Sequence, residues 1–262
     1  MDESVHSTVR RARAVPSKTA KTAKTAKTAK TANAANSAKP RAAKASRTAA
    51  SKARPEPTRT NDPARTMADI LEVATHEFSE KGLAGARIDV IAQAMRTSKR
   101  MIYYYFGSKE GLYIAVLEEA YRRIRSIEAE LNLDDLAPED ALRKLVGFTV
   151  DYQLANPDFV RLVMNENMHR GLFLAQSKGI QKLNVPAIAE VRKLYERGLA
   201  GGVFRSGLDA VDLHMSISAL SVFNVANKHT FSLIFKRDLD SPVSIVARRD
   251  SIIEMVVRFV RK

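Results

Sequence analysis

The sequence predicts an all-α protein of about nine helices, with a three-helix helix-turn-helix unit ahead of a larger helical domain. Three observations lead there. Helical periodicity recurs from Ala64 onward, Pro and Gly punctuate it at helix starts and stops, and alternating strand patterns of useful length are missing after that point. A disordered basic arm is expected to precede the helices, over residues 1–62.

The arm is set apart by charge and repetition. The chain of 262 residues has a formal net charge of +14, yet residues 1–65 alone hold 16 basic and four acidic side chains. The remainder is therefore nearly neutral. Lys18–Ala32 reads Lys-Thr-Ala five times over, and apolar residues larger than Ala nearly vanish between Val15 and Asp62. Such a stretch buries too little surface to offset its ordering entropy. A solubilising spacer and a non-specific attraction to DNA phosphates both fit it, the latter through counterion release.

The helices follow in order. Ala64–Lys81 places Met67, Ile70, Leu71, Ala74 and Phe78 on one face, and Gly82 ends it. Asp89–Met95 is a short second helix, and Ser98 caps a third that runs to Phe106. Gly107-Ser108 breaks and restarts the chain into a long fourth helix carrying Leu112, Leu117, Tyr121 and Ile124. Pro138 opens a helix to about Asn156, and Pro157 another to about Gly171. Pro186 is read as opening Ala187–Leu199, Asp209 as capping a helix to about Asn227, and Ser241-Pro242 as preceding the last, to Arg258. These elements divide into a three-helix unit over 63–112 and a larger helical domain over 113–262.

Several functions are excluded or disfavoured. The chain has no Cys, which rules out disulfides, thiolate zinc sites and a cysteine nucleophile and suits a reducing cytoplasm. Leu213–Asn227, the longest uncharged apolar stretch, is too short and too polar to span a membrane, and the N-terminal stretch lacks the apolar run of a secretory signal. No metal or cofactor is expected. No Gly-rich phosphate loop follows a strand, His76-Glu77 lacks a second His four residues after the first, and no Ser, His and Asp set stands out. An enzyme is not expected.

The chemistry gathers in Thr97–Lys109. Met101, Ile102 and Phe106 can pack inward, which leaves Lys99, Arg100, Tyr103 and Tyr104 on the outer surface. Three consecutive tyrosines make a poor core, because each buried hydroxyl needs a partner. Phosphate oxygens supply such partners, and Arg can reach a guanine edge with two hydrogen bonds. A solvated basic-aromatic helix is the competing reading of the same residues.

Ile70–Phe106 resembles the DNA-binding domain of the tetracycline-repressor (TetR) family. The resemblance rests on Ala74, Phe78 and Gly82, on Ile91-Ala92, and on Ser98 with Ile102-Tyr103-Tyr104-Tyr105-Phe106. Ser108-Lys109-Glu110 with Leu112 and Tyr113 continues it. It implies phosphate contacts from Lys99, Tyr103, Tyr104 and Lys109, base reading at Arg100, Lys99 and Tyr103, and a contact from Arg87; Thr97 and Ser98 belong to the same surface. The chain departs from the pattern at Arg96, where the turn glycine usually stands, and at Thr97, Arg100 and Met101. No operator sequence can therefore be borrowed. The unit Thr66–Leu112 has six basic and six acidic residues, so attraction to DNA depends on local placement or on the arm.

The rest of the chain resembles the family's ligand-binding and dimerisation domain by layout. Gly201-Gly202-Val203-Phe204-Arg205 followed by Asp209 looks like the connection before the penultimate helix. Asn156-Pro157 with Arg161-Leu162 and Glu166 looks like the subgroup holding repressors of pyrimidine and nicotinate catabolism. The last two helices are apolar on more than one side, which points to a homodimer joined through a four-helix bundle. Two reading helices roughly 34–36 Å apart would then bind a pseudo-palindrome in double-stranded DNA. For an unidentified small-molecule effector the candidates are Glu166, Asn167, His169, Asn224 and Tyr152, polar groups inside apolar stretches. Arg161 or Arg170 could instead pair with Glu166, and Met164, Met168, Phe148 and Phe173 are expected in the core. An architectural nucleoid protein binding through its arm is the alternative to a sequence-specific regulator.

Overall fold

The computed structural model describes residues 62–262. The expected disordered arm lies, but for Asp62, outside the described residues. Ten α-helices make up the described chain, and it has no sheet, only an isolated bridge between Phe204 and Arg261.

Helix α1 (Pro63–Gly85) begins with Pro63 in its first turn, and the Asp62 carboxylate accepts from Ala64 and Arg65 N–H at 3.0 and 3.2 Å. The helix is broken at Gly82, whose φ of 64° and ψ of 174° lie in a region open essentially to glycine. Helices α2 (Ile88–Ala94) and α3 (Lys99–Phe106) follow, and α4 (Lys109–Ala129) starts where the Ser108 hydroxyl accepts from Gly111 N–H at 2.9 Å. Gly111 must be glycine, because a Cβ there would lie 2.1 Å from the Phe106 carbonyl oxygen.

One core joins α1 to α4. Ile70, Ala74, Phe78, Ile91, Ile102 and Leu112 are buried in it, and the Phe78 and Tyr113 rings meet edge to face at 5.2 Å. Leu162 and Ile180, from beyond the expected boundary at residue 112, are buried in the same cluster, and α4 runs through that boundary without a break. The two lobes therefore share a helix and part of a core.

The second core is built by α5 (Pro138–Ala155), α7 (Ile180–Ala200), α8 (Ala210–Ala226) and α10 (Pro242–Val260). Helix α6 (Pro157–Met168) packs on α1 and α8. The connection after α7 is pinned to the end of the chain. Arg205 N–H donates to Val260 O at 2.8 Å, Lys262 N–H to Val203 O at 3.1 Å, and the Tyr195 hydroxyl donates to Arg205 O and accepts from Leu208 N–H. Asp209 then caps α8 by accepting from Val211 and Asp212 N–H.

Two expectations are corrected. Helix α7 begins at Ile180, with Pro186 inside it, and does not open at Ala187. Burial of Ile180 in the first core and the Ser177 hydroxyl, which accepts from Gly179 and Ile180 N–H, extend the helix upstream past the one hydrogen bond that Pro186 cannot make. Between α8 and α10 lies an additional helix, α9 (Lys228–Phe235), which raises nine to ten. It has no side-chain cap, and Leu233, Ile234 and Phe235 are exposed, so neither a start signal nor a one-sided apolar stripe announces it.

Gly198 offers a direct check of the second core. A Cβ at this position would lie 1.9 Å from the Phe204 ring. Gly198→Ala should cost about 1–3 kcal/mol by overpacking, measured by urea denaturation. Adding Phe204→Leu should recover part of that loss.

Candidate nucleic-acid interface and internal cavity

The second helix is set by a buried carboxylate. Glu77, on α1, accepts from the Lys81 ammonium at 2.9 and 2.8 Å and from the backbone N–H of Arg87, the residue before α2, at 3.1 Å. Burial raises its pKa, but Lys81 and the Arg87 N–H outweigh burial and hold the group below its ordinary value of 4.5. Arg87 itself is tied at the surface to Asp89 by two hydrogen bonds, of 3.2 and 2.7 Å.

The turn between α2 and α3 closes through Arg96 N–H to Gln93 O and Thr97 N–H to Ala92 O, at 3.1 and 2.9 Å. Arg96, standing where the family's turn glycine usually does, has a φ of 51°. The turn keeps the left-handed geometry and accepts the strain of a side chain there, about 1–2 kcal/mol. Thr97 is half-buried, and Ser98 caps α3 by accepting from Met101 N–H at 3.3 Å.

On α3, Ile102 is fully buried and Met101 and Phe106 are half-buried, while Lys99, Arg100, Tyr103 and Tyr104 are exposed, as the sequence suggests. Tyr104 is 77% exposed and its ring rests edge-on against Tyr105. Among the described residues neither Lys99 nor Arg100 forms an ion pair, so both heads are available to an external anion. Lys109 is half-buried, its ammonium 3.4 Å from Ala84 O, near the end of α1.

The effector candidates do not converge. Glu166 is buried and accepts from Phe173 N–H at 2.9 Å, and neither Arg161 nor Arg170 pairs with it. Its neighbour is Tyr113, whose hydroxyl is pushed well above the usual phenol range by burial first and by the Glu166 charge second. Tyr152 is buried among Ile124, Phe148 and Phe159. His169 is exposed, with its Nδ1 against Asn165 O. Asn224 accepts from Arg248 Nε at 3.1 Å and lines a separate cavity of about 430 Å³. Met164 and Met168, expected in the core, are exposed: Met164 lines a cavity of about 650 Å³, and Met168 is 70% exposed because α6 ends there and turns the side chain outward from the last turn.

Only Asn167 of the five lines this partly open cavity of about 650 Å³ between helices α4 to α8. Tyr121, Ile124, Phe159 and Val163 supply apolar walls, and Arg125, Glu128, Gln153 and His214 the polar ones. Arg125 and Glu128 form a half-buried ion pair, and both also line a third cavity of about 450 Å³. Burial pushes the Glu128 carboxyl up in spite of Arg125. Burial first, and then the Arg125 charge, holds the His214 imidazole below its usual range. Sequence reasoning missed this set because Arg125, Gln153 and His214 lie on three helices and share no spacing.

A possible cation site joins α1 to α6. His76, Glu80 and Asp158 each place a ligand atom within 4.8 Å of the others. The Arg161 guanidinium already pairs with Glu80 and with Asp158, so that position is neutralised by the protein itself.

A short exposed helix held at the tip of a helical lobe, with basic and tyrosine side chains outward, defines a helix-turn-helix DNA-binding protein. Residues 70–116 match the family model described as bacterial regulatory proteins, tetR family, and residues 138–256 match the tetracyclin repressor-like C-terminal domain. The HTH-type transcriptional repressor NicS of Pseudomonas putida is 41% identical over 175 residues, which is 67% of this chain and 82% of that one. The HTH-type transcriptional regulator RutR of Escherichia coli is 34% identical over 97 residues, 37% of this chain and 45% of that one. A crystal structure of the putative transcriptional regulator SCO4942 from Streptomyces coelicolor superposes with a TM-score of 0.56 at 28% identity, over 74% of this chain and 98% of that one. The chain belongs to the TetR family of transcriptional regulators. NicS and RutR bear out the subgroup resemblance read from residues 156–166.

Glu77 links pH to the pose of the reading lobe. Its depressed pKa means a stabilisation present above the unfolded value, near 4.5, and lost as pH falls through the folded value. Glu77→Gln should therefore lower stability by about 1.5–3 kcal/mol at pH 7. The gap from wild type should shrink below pH 4.5, as read from paired denaturant midpoints.

Proposed function

We propose that this protein is a homodimeric repressor that occupies a pseudo-palindromic operator and leaves it when a small molecule fills the cavity beneath α4. The observation that carries this reading is the continuity of α4. The helix starts at Lys109, directly after the reading helix, and ends with Arg125 and Glu128 in the cavity wall. A ligand preferring one position of α4 over another shifts the equilibrium between DNA-competent and splayed dimers by its differential affinity, and by no more.

In this reading Arg100, Lys99 and Tyr103 meet base edges, while Tyr104, Lys109, Thr97, Ser98 and Arg87 hold the phosphate backbone. Arg87 must share its guanidinium with Asp89 to do so. The NicS and SCO4008 relatives carry the name of transcriptional repressor, which favours repression over an architectural role. The DNA target places the protein in the cytoplasm, with the chromosome. Among the described residues no helix is long and apolar enough to cross a membrane.

The dimer is assigned to α8 and α10. Val211, Met215, Ala219 and Phe223 repeat every four residues on α8, and all are exposed. Val243, Ala247, Ser251, Met255 and Phe259 do the same on α10. Each set forms one ridge along its helix, small enough in places to let a second copy approach. Leu233, Ile234 and Phe235 of α9 extend the apolar surface beside them.

Selection of bound genomic DNA should yield a two-fold symmetric site with the full chain and with a variant starting near Asn61. With that site in hand, Arg100→Ala should relax the base preference, and Lys109→Ala should weaken all sequences alike and lower the salt slope by about one. Equal affinity for selected and random duplexes at every salt concentration would defeat the regulator reading. Met215→Asp should give a monomer in sedimentation with its helical signal intact and operator affinity reduced. A surviving dimer would move the interface elsewhere.

A further inference from the structure

Two of the side chains that line the 650 Å³ cavity carry polar atoms that the fold leaves unpartnered. Arg125 Nε and Gln153 Oε1 are buried without a hydrogen-bond partner, and Gln153 as a whole is only 4% exposed. A third such atom, Glu166 Oε2, lies outside the cavity lining. Leaving a buried donor or acceptor unmet is costly, so two of them on side chains that line one cavity mark a place where a small turn of each side chain would bring it a partner from an occupant.

The two atoms differ in sense. Arg125 Nε–H requires an acceptor, and Gln153 Oε1 requires a donor. Arg125 uses Nη1 for Glu128, which leaves the Nε edge of a planar fork whose geometry matches a carboxylate. His214 and the amide and hydroxyl groups of Asn184 and Ser218 add no second positive charge at neutral pH, since the imidazole is held neutral. One unfilled guanidinium edge among walls of Tyr121, Ile124, Phe159 and Val163 suits a single anionic group on an apolar body.

We propose that the cavity takes a small monocarboxylate with an apolar ring and one hydrogen-bond donor, the carboxylate on the Nε edge of Arg125 and the donor on Gln153. This rests on the reading of the cavity as the regulatory site. The Arg125–Glu128 pair divides this cavity from the neighbouring one of about 450 Å³, so a carboxylate competing with Glu128 for the guanidinium loads the last turn of α4 directly.

The test uses the full-length dimer without DNA and a panel of probes: benzoate, 4-hydroxybenzoate, phenylacetate and 4-hydroxyphenylacetate, each beside its primary amide. Calorimetry and thermal shift should show binding by at least one hydroxylated acid, with its amide weaker by about tenfold or more, as expected for loss of a charge-assisted pair. Arg125→Met should abolish the preference for acid over amide, and Gln153→Met should abolish the preference for the hydroxylated over the unsubstituted acid. Arg125→Lys, which keeps the charge and loses the fork, should lie between wild type and Arg125→Met and guards against a variant that fails to fold. Acid and amide binding the wild-type protein equally, or no acid in the panel stabilising it, overturns the inference. Operator affinity, measured separately on the same preparations, tests the regulator reading. A protein that binds its operator but prefers no carboxylate defeats this inference alone, and one that binds the acids but no operator defeats only the other.

Discussion

Burial of one face of α4 in the first core is the constraint on which the rest of the structure depends. Leu112, Tyr113, Val116 and Leu117 are at most 1% exposed, and they sit between the reading lobe and the helices of the larger lobe. Fully burying a side chain of this size contributes about 1.5–3 kcal/mol, so this face cannot slide from its seat without loss of the fold. The N-terminus of α4 is capped by Ser108 against the end of α3, and its C-terminal turn carries Arg125 into a cavity where packing is incomplete. In the proposed switch an occupant of the cavity acts on this end of α4, while the buried face keeps the helix in its seat.

The same constraint explains what was legible in the sequence. The reading helix is specified locally. Ser98 caps it, Ile102 is its one fully buried side chain, and Gly107, with a φ of 74°, ends it, so a window of about ten residues suffices to place it and to orient its tyrosines. Helices α5, α6 and α10 open on Pro138, Pro157 and Pro242 for an equally local reason. Pro186 misleads because the rule concerns a missing N–H. That loss is small beside burial of Ile180, which only the tertiary structure reveals.

The cavity was not legible for a different reason. A polar residue inside an apolar stretch is visible in sequence, and Glu166 and Asn224 are such residues, but visibility does not distinguish a group satisfied by the protein from one awaiting a ligand. Glu166 caps the Phe173 N–H and Asn224 meets Arg248, both partners contributed by segments that no helical spacing relates to them. Arg125 and Gln153 look in sequence like ordinary residues of amphipathic helices. Their significance lies in what they lack, and a missing partner exists only once every neighbour has been placed.

Charge leads to a related conclusion about the lobe that meets DNA. With six basic and six acidic residues between Thr66 and Leu112, the lobe has no net charge, yet three of its six acids are paired. Glu77 is held by Lys81 and the Arg87 N–H, Asp89 by Arg87, and Glu80 by Arg161 of the other lobe. Lys99 and Arg100 face outward without such partners, so the field at the tip of α3 is positive although the sum is zero. Tethering Glu80 through Arg161 also makes the surface charge near α1 depend on the position of α6, which helps to enclose the cavity. In the proposed dimer, a ligand that displaces α6 would alter the electrostatics beside the reading helices as well as their spacing. Both effects act on operator affinity through one coupling free energy, of about 1–3 kcal/mol in typical cases.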